Sequence, residues 1–175
     1  EQLNRKLTDV AGFSWEYGNA NALEQVYGLV YGGIDSLGIT ERATDLTTLM
    51  SSVVTAMANE ISCSITSQDF SLTQNQRKLF PAVELNSLPT TNSAAIIANV
   101  QHLHKQMLGE DLGSTDPEIQ ATYNLFVDVW EARITAGKSA VVSSVDELCI
   151  FENVSGPVTV DANQTLRSWA VVVNY

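Results

Sequence analysis

The chain has 175 residues, of which 45% are hydrophobic and 17% charged, and its nine basic and twenty acidic residues leave a net charge of −11. That length suits one well-buried domain spanning 1–175 and is short for two. The acidic balance speaks against nucleic acid and anionic membrane surfaces, both of which are held by clustered Lys and Arg, and no apolar run approaches the ~20 residues that cross a bilayer.

Charged residues fall below the ~25% usual for soluble domains. Ser, Thr, Asn and Gln fill the polar positions instead, a composition associated with exported proteins. The chain opens at Glu1 without Met and stops at Tyr175 inside an apolar helical pattern, which suggests a processed or excised part of a longer chain.

In chain order, Phe13, Trp15 and Tyr17 alternate with polar residues and read as a segment laid across a bundle, or as a ligand platform or an exposed interface patch. A first helix is predicted over 21–31, with Leu23, Val26, Tyr27 and Val30 at helical spacing and Gly32-Gly33 after it. The clearest amphipathic helix runs over 45–65 through Leu46, Leu49, Met50, Val53, Val54, Met57, Ile61 and Ile65. Thr73 and Gln76 are spaced as a capping box before Leu79-Phe80, and Pro81 stops that short helix. An irregular connector follows.

Helix 92–108 places Ile96, Ile97, Val100, Leu103, Met107 and Leu108 on one side, with Gly109 as terminator. The strongest signal is at 117–136. Asp116 can cap, Pro117 suits the first helical position, Thr115 and Glu118 have capping-box spacing, and Gly137 suits a left-handed end. One stripe holds Ile119, Tyr123, Phe126, Val127, Trp130 and Ile134, and a second holds Leu125, Val129 and Ala132. A helix apolar over most of its circumference belongs in the middle of a bundle. Ser144 and Glu147 suit a short turn, 154–160 reads as a short strand or a loop, and Asp161 with Gln164 opens a last helix bearing Leu166, Trp169, Ala170 and Val173. The fold class is all-α, an irregular bundle of about five to six helices with the two-faced helix near 117–136 at its centre.

Chemistry-bearing residues are few. His102 and His104 point about 200° apart on a helix, so together they cannot chelate one metal. His104 lies near the apolar stripe and His102 faces away. Paired with Glu110 or Asp111 at the helix end, His104 would make a metal or proton-transfer site; the plainer reading is one part-buried and one exposed histidine. Cys63 and Cys149 are the candidate disulfide of an exported protein, worth ~4 kcal/mol, or else two buried thiols. Asn153-Val154-Ser155 and Asn163-Gln164-Thr165 match the N-glycosylation triplet. Haem-attachment, zinc-ribbon, nucleophile-elbow, phosphate-loop and calcium-loop motifs are absent, so no catalytic residue, metal ligand or cofactor is assigned.

Asn99-Val100-Gln101-His102-Leu103-His104 with Leu108-Gly109-Glu110, and Thr165-Leu166-Arg167-Ser168-Trp169-Ala170-Val171-Val172, resemble pieces of helical modules in large exported bacterial proteins of planctomycete type. Those modules stand beside c-type cytochrome domains, whereas this chain has no haem-attachment motif of its own. The resemblance implies an exported, periplasmic or extracellular, protein-interacting module. Together these features lead to the expectation of a noncatalytic subunit that acts through a protein partner or self-association. The alternative is a small-ligand or cofactor carrier holding its ligand near Trp130, His104 and Tyr123.

Overall fold

A computed structural model describes residues 9–10, 16–17, 20–21, 48–142, 152–153, 156–158 and 160–175. These residues form four helices: α1 (Thr48–Ser71), α2 (Pro89–Leu103), α3 (Pro117–Thr135) and α4 (Thr165–Asn174). A five-residue π turn, His104–Leu108, continues α2, and a 3₁₀ turn spans Gln74–Gln76. Two antiparallel pairs of two-residue strands, Glu16–Tyr17 with Ala20–Asn21 and Glu152–Asn153 with Gly156–Pro157, complete the described elements. The protein is all-α in its described part. The helix expected over 21–31 lies outside the described residues except for Asn21, which sits in a strand. The same holds for Phe13, Trp15, Cys149 and the turn expected near 144–147.

Helix α1 changes character along its length. Its first half is mostly exposed, whereas from Ile61 to Phe70 only Ser64 and Gln68 escape full burial. Small polar side chains make that possible, because they bond back to their own helix. Ser62 Oγ donates to the Asn59 carbonyl at 2.9 Å, and Ser67 Oγ to the Ser64 carbonyl at 3.0 Å. The helix therefore ends later than apolar spacing alone predicts, at Ser71 in place of 65.

Asp69, fully buried near that end, explains the next turn. Its carboxylate accepts backbone N–H bonds from Lys78 (2.9 Å), Leu79 (3.2 Å) and Phe80 (2.9 Å). Burial pushes its carboxyl above the ordinary value of 3.8, while the three N–H donors and nearby Arg77 oppose that shift. Tied this way, Leu79 and Phe80 enter the core in an irregular segment, and the short helix expected there is reduced to the 3₁₀ turn before them. Asn99 of α2 holds the same segment, accepting from Ala82 N and donating to the Leu79 carbonyl.

The core is an aromatic chain. Phe70 stacks on Phe80 at 4.4 Å, and Trp169 meets Phe80 at 5.3 Å and Phe126 at 4.5 Å. Around it pack Ile96, Val100, Ile119 and Leu166, each at most 1% exposed.

Helix α3 starts and stops where its signals stand. Asp116 accepts from Glu118 N at 3.0 Å, Pro117 is the first helical residue, and Gly137 takes φ +58°. Its faces are unequal, however. Ile119, Thr122 and Phe126 are buried, Trp130, Leu125 and Val129 are intermediate, and Ala132 and Ile134 are exposed. The centre of the bundle belongs to α4 and the second half of α1. In α4 every residue from Thr165 to Ala170 is buried, and the helix packs against both α1 and α3. An apolar second stripe is compatible with a central position but does not require it.

Candidate functional site

The strongest candidate lies where α2, α3 and α4 converge on the π turn. A cavity of about 330 Å³ is lined by Leu103, His104, Met107, Leu108, Glu118, Thr122, Val172, Val173 and Tyr175. Helical spacing from Ile96, Val100 and Leu103 would bring position 107 to the buried face. His104, four residues after Val100, keeps that face at 7% exposure, and the wider π turn shifts the phase after it, so Met107 (38%) and Leu108 (65%) turn outward. This corrects the expectation that Met107 and Leu108 share the buried side of 92–108. Gly109 closes the turn at φ +75°, donating to the His104 and Lys105 carbonyls.

His104 is clamped at both ring nitrogens. Nδ1 lies 3.0 Å from Glu110 Oε2, and Nε2 lies 3.0 Å from Thr122 Oγ1. Of the two acidic partners considered for it, Glu110 is the one engaged, while Asp111 bonds Lys105 Nζ at 2.9 Å. An ionised carboxylate only accepts, so Nδ1 carries a proton. Thr122 has a single hydroxyl proton, and the Glu118 carbonyl also lies 3.0 Å from Oγ1. Either Nε2 carries a second proton and Thr122 accepts it, or Thr122 turns its proton from the carbonyl to the ring.

The order hydroxyl, imidazole, carboxylate is that of a nucleophile, its base and the orienting group. Two features set this arrangement apart from an acyl-transfer site. Thr122 is 3% exposed in mid-helix, and the backbone N–H groups around it are spent within α3, so none is aimed where an oxyanion would develop. What the arrangement does is lock the floor of the cavity: it fixes the histidine ring against α3 and pins the 109–116 loop. Gln101 Nε2 reinforces that loop by donating to the Leu112 carbonyl at 2.8 Å.

The remaining sequence candidates are dispersed. His102 donates from Nε2 to the Lys78 carbonyl at 2.6 Å and is half-buried. Trp130 and Tyr123 do not line the cavity, so the three residues expected to surround a ligand are not brought together. Trp130 Nε1 instead donates to the Asn163 carbonyl at 2.9 Å. No cluster of three or more potential metal ligands occurs among the described residues, and no helix among them is long and apolar enough to cross a membrane. Cys63 is buried at 3% on α1, and its candidate partner Cys149 lies outside the described residues. Asn163 is committed to the fold, because its Nδ2 donates to the Leu85 carbonyl and buried Thr165 of the same triplet bonds that carbonyl too.

A second polar cluster guards the start of α4. Asp161 accepts from Leu166 N and Arg167 N, each at 3.2 Å, and its carboxylate lies 3.6 Å from the Arg167 guanidinium. Gln164, at φ +59°, donates to the Lys138 and Ser139 carbonyls and accepts from Arg133 Nε at 2.8 Å. Asp161 and Gln164 were legible as helix-opening residues, but nothing in their spacing revealed the buried arginine between them. Thr122 and the exposed cluster at the π turn were not legible either. The only available signal was a histidine followed closely by Gly109 and Glu110. Comparison with protein-family models, with curated proteins and with solved structures finds no match for this chain.

Proposed function

We propose that the chain is a noncatalytic helical module that works through protein–protein contact in an exported assembly. One observation carries this reading: Met107 and Leu108, 38% and 65% exposed, gather at the rim of an apolar cavity. Scattered exposed apolar residues need no explanation, but a cluster at the rim of a cavity is the usual mark of an interaction surface. Export is supported by the low charged fraction and by the resemblance to exported bacterial modules, and a disulfide between Cys63 and Cys149 belongs to the same proposal.

The test is a photo-crosslinking residue placed at Leu108 or, as a control, at exposed Glu131, in the cells that make the protein. The expected outcome is a discrete adduct from position 108 and none from 131. Absence of adducts at 108, with the protein folded and present at normal level, overturns the contact reading. The disulfide is checked separately, as a mobility difference between reduced and unreduced protein that a Cys63→Ser/Cys149→Ser variant lacks.

A second reading, small-ligand carriage, draws on the same cavity, whose walls are mainly apolar with His104, Thr122 and Glu118 as polar contributors. Native mass spectrometry of protein from its own source decides it. A mass equal to that of the bare polypeptide sinks carriage.

A further inference from the structure

We infer that the groove between the π turn and the end of α4 takes a basic amphipathic segment of a partner protein. An apolar side chain of that segment fills the cavity beside Thr122, and a Lys or Arg close to it meets Glu118 and Glu110. The inference rests on the contact reading above and adds the chemistry of the partner.

Three observations select this occupant. The first is size. A cavity of about 330 Å³ stands at the lower end of the roughly 300–1,000 Å³ of small-molecule sites. Its lining includes Met107 and Leu108, which are 38% and 65% exposed, so the apolar surface runs on past the cavity mouth. A chain laid across the groove covers both, with an anchor side chain below, as when an amphipathic helix docks on an apolar groove.

The second is charge. Glu118 lines the cavity and is exposed, Glu110 is bonded to the lining residue His104 with its own side chain 46% exposed, and Asp111 follows at 81%. Lys105, the neighbouring base, is already bonded to Asp111. The rim thus offers carboxylates in excess, on a chain of net charge −11. A second copy docked symmetrically would set this acidic rim against its own image, whereas a cationic segment finds complementary potential.

The third is rigidity. The bonds from His104 to Glu110 and Thr122 hold the floor in place before anything binds, which lowers the ordering cost of association.

The test uses three fluorescent helical peptides that share one Leu-rich face and carry Lys, Gln or Glu on the other, titrated by anisotropy into the whole chain. The Lys peptide is expected to bind about tenfold more tightly than the Gln peptide, with the advantage shrinking as salt rises, and the Glu peptide is expected not to bind. Glu118→Gln should cut the Lys advantage to roughly threefold or less. Leu108→Ser and Met107→Ser should weaken both peptides by about tenfold or more. Equal binding of the Lys and Gln peptides would overturn the basic partner and leave the contact face standing. Lys-peptide binding undiminished by Leu108→Ser would reveal nonspecific attraction and overturn the groove. If none of the peptides binds while position 108 still crosslinks in cells, the partner class is wrong and the contact reading survives. A crosslink joining two copies of this chain, with dimers in light scattering, would assign the groove to self-association instead.

Discussion

The two ends of helix α4 use the same fold in opposite ways. At its start, Asp161, Gln164 and Arg167 are each at most 5% exposed, and their polar atoms are matched by backbone amides, carbonyls and one another. At its end, Val172 and Val173 run into the cavity beside Met107 and Leu108, which are 38% and 65% exposed. Polar groups are sealed in where every one finds a partner, while apolar groups stay open where water must be displaced by something else. A closed polar end fixes the helix in the bundle, and an open apolar end leaves surface for binding. The closed start and the core behind it should therefore be costly to disturb, and the open end should not.

The largest effect is expected at the hinge between the two ends. Trp169 is fully buried and touches both Phe80 and Phe126. Trp169→Ala should cost about 3–5 kcal/mol in denaturant unfolding. A loss below about 1 kcal/mol would show that α4 is not the centre of the bundle. Its Nε1 is buried without a hydrogen-bond partner among the described residues. Trp169→Phe should therefore cost clearly less than the alanine change, since it removes that unsatisfied donor along with part of the ring.

Asp161→Ala tests the closed start directly. It removes the acceptor for two helix amides and the carboxylate facing buried Arg167, although Gln164 and the Val141 carbonyl remain beside that guanidinium. About 3 kcal/mol is expected. A change within about 0.5 kcal/mol would mean that the cluster is decorative and the comparison of the two ends fails.

How much of this was legible in the sequence follows from what each signal encodes. Asp116, Pro117 and Gly137 act through local backbone geometry, and all three stand where their residue types place them. Gly109 likewise ends its helix as expected. Stripe arguments did less well, because apolar spacing says which residues could be covered but not what is there to cover them. Helix α3 has two stripes and buries mainly one. The second half of α1 is enclosed despite its serines and Asp69, whose partners are backbone groups that no pattern of residue types displays. At the candidate site the pairing of His104 with Glu110 was readable from their closeness in sequence, whereas Thr122 reaches His104 from another helix. The exposure of Met107 and Leu108 depends on a π turn that breaks the regular helical period.

Asp69 provides a test in which pH is the variable. Burial raises its carboxyl above 3.8, so relative to the unfolded chain the fold favours the protonated form. The stabilising contribution linked to that shift is fully present below the unfolded value and is lost as pH rises through the higher folded value. Asp69→Asn lacks this titration and keeps only one accepting oxygen, so its amide hydrogens are turned toward at least one of the three N–H donors. The variant should be less stable than the parent by about 2 kcal/mol or more. Its deficit should be larger near about pH 3.5 than near about pH 7. A deficit that grows with pH would mean that the three N–H bonds and Arg77 outweigh burial, and that the shift runs the other way.

The smallest effect is expected at the open end, and its smallness is the point. Leu108 is 65% exposed and follows a turn closed by Gly109, so Leu108→Ser removes little buried surface. Unfolding free energy should change by no more than about 0.5 kcal/mol in either direction. If the substitution cost ~2 kcal/mol, Leu108 would be a packing residue and the open end of α4 would belong to the core after all. A neutral result would separate the two ends cleanly: residues at the start of α4 would be retained for the fold, and Leu108, contributing nothing to stability, would be free to serve contact with a partner.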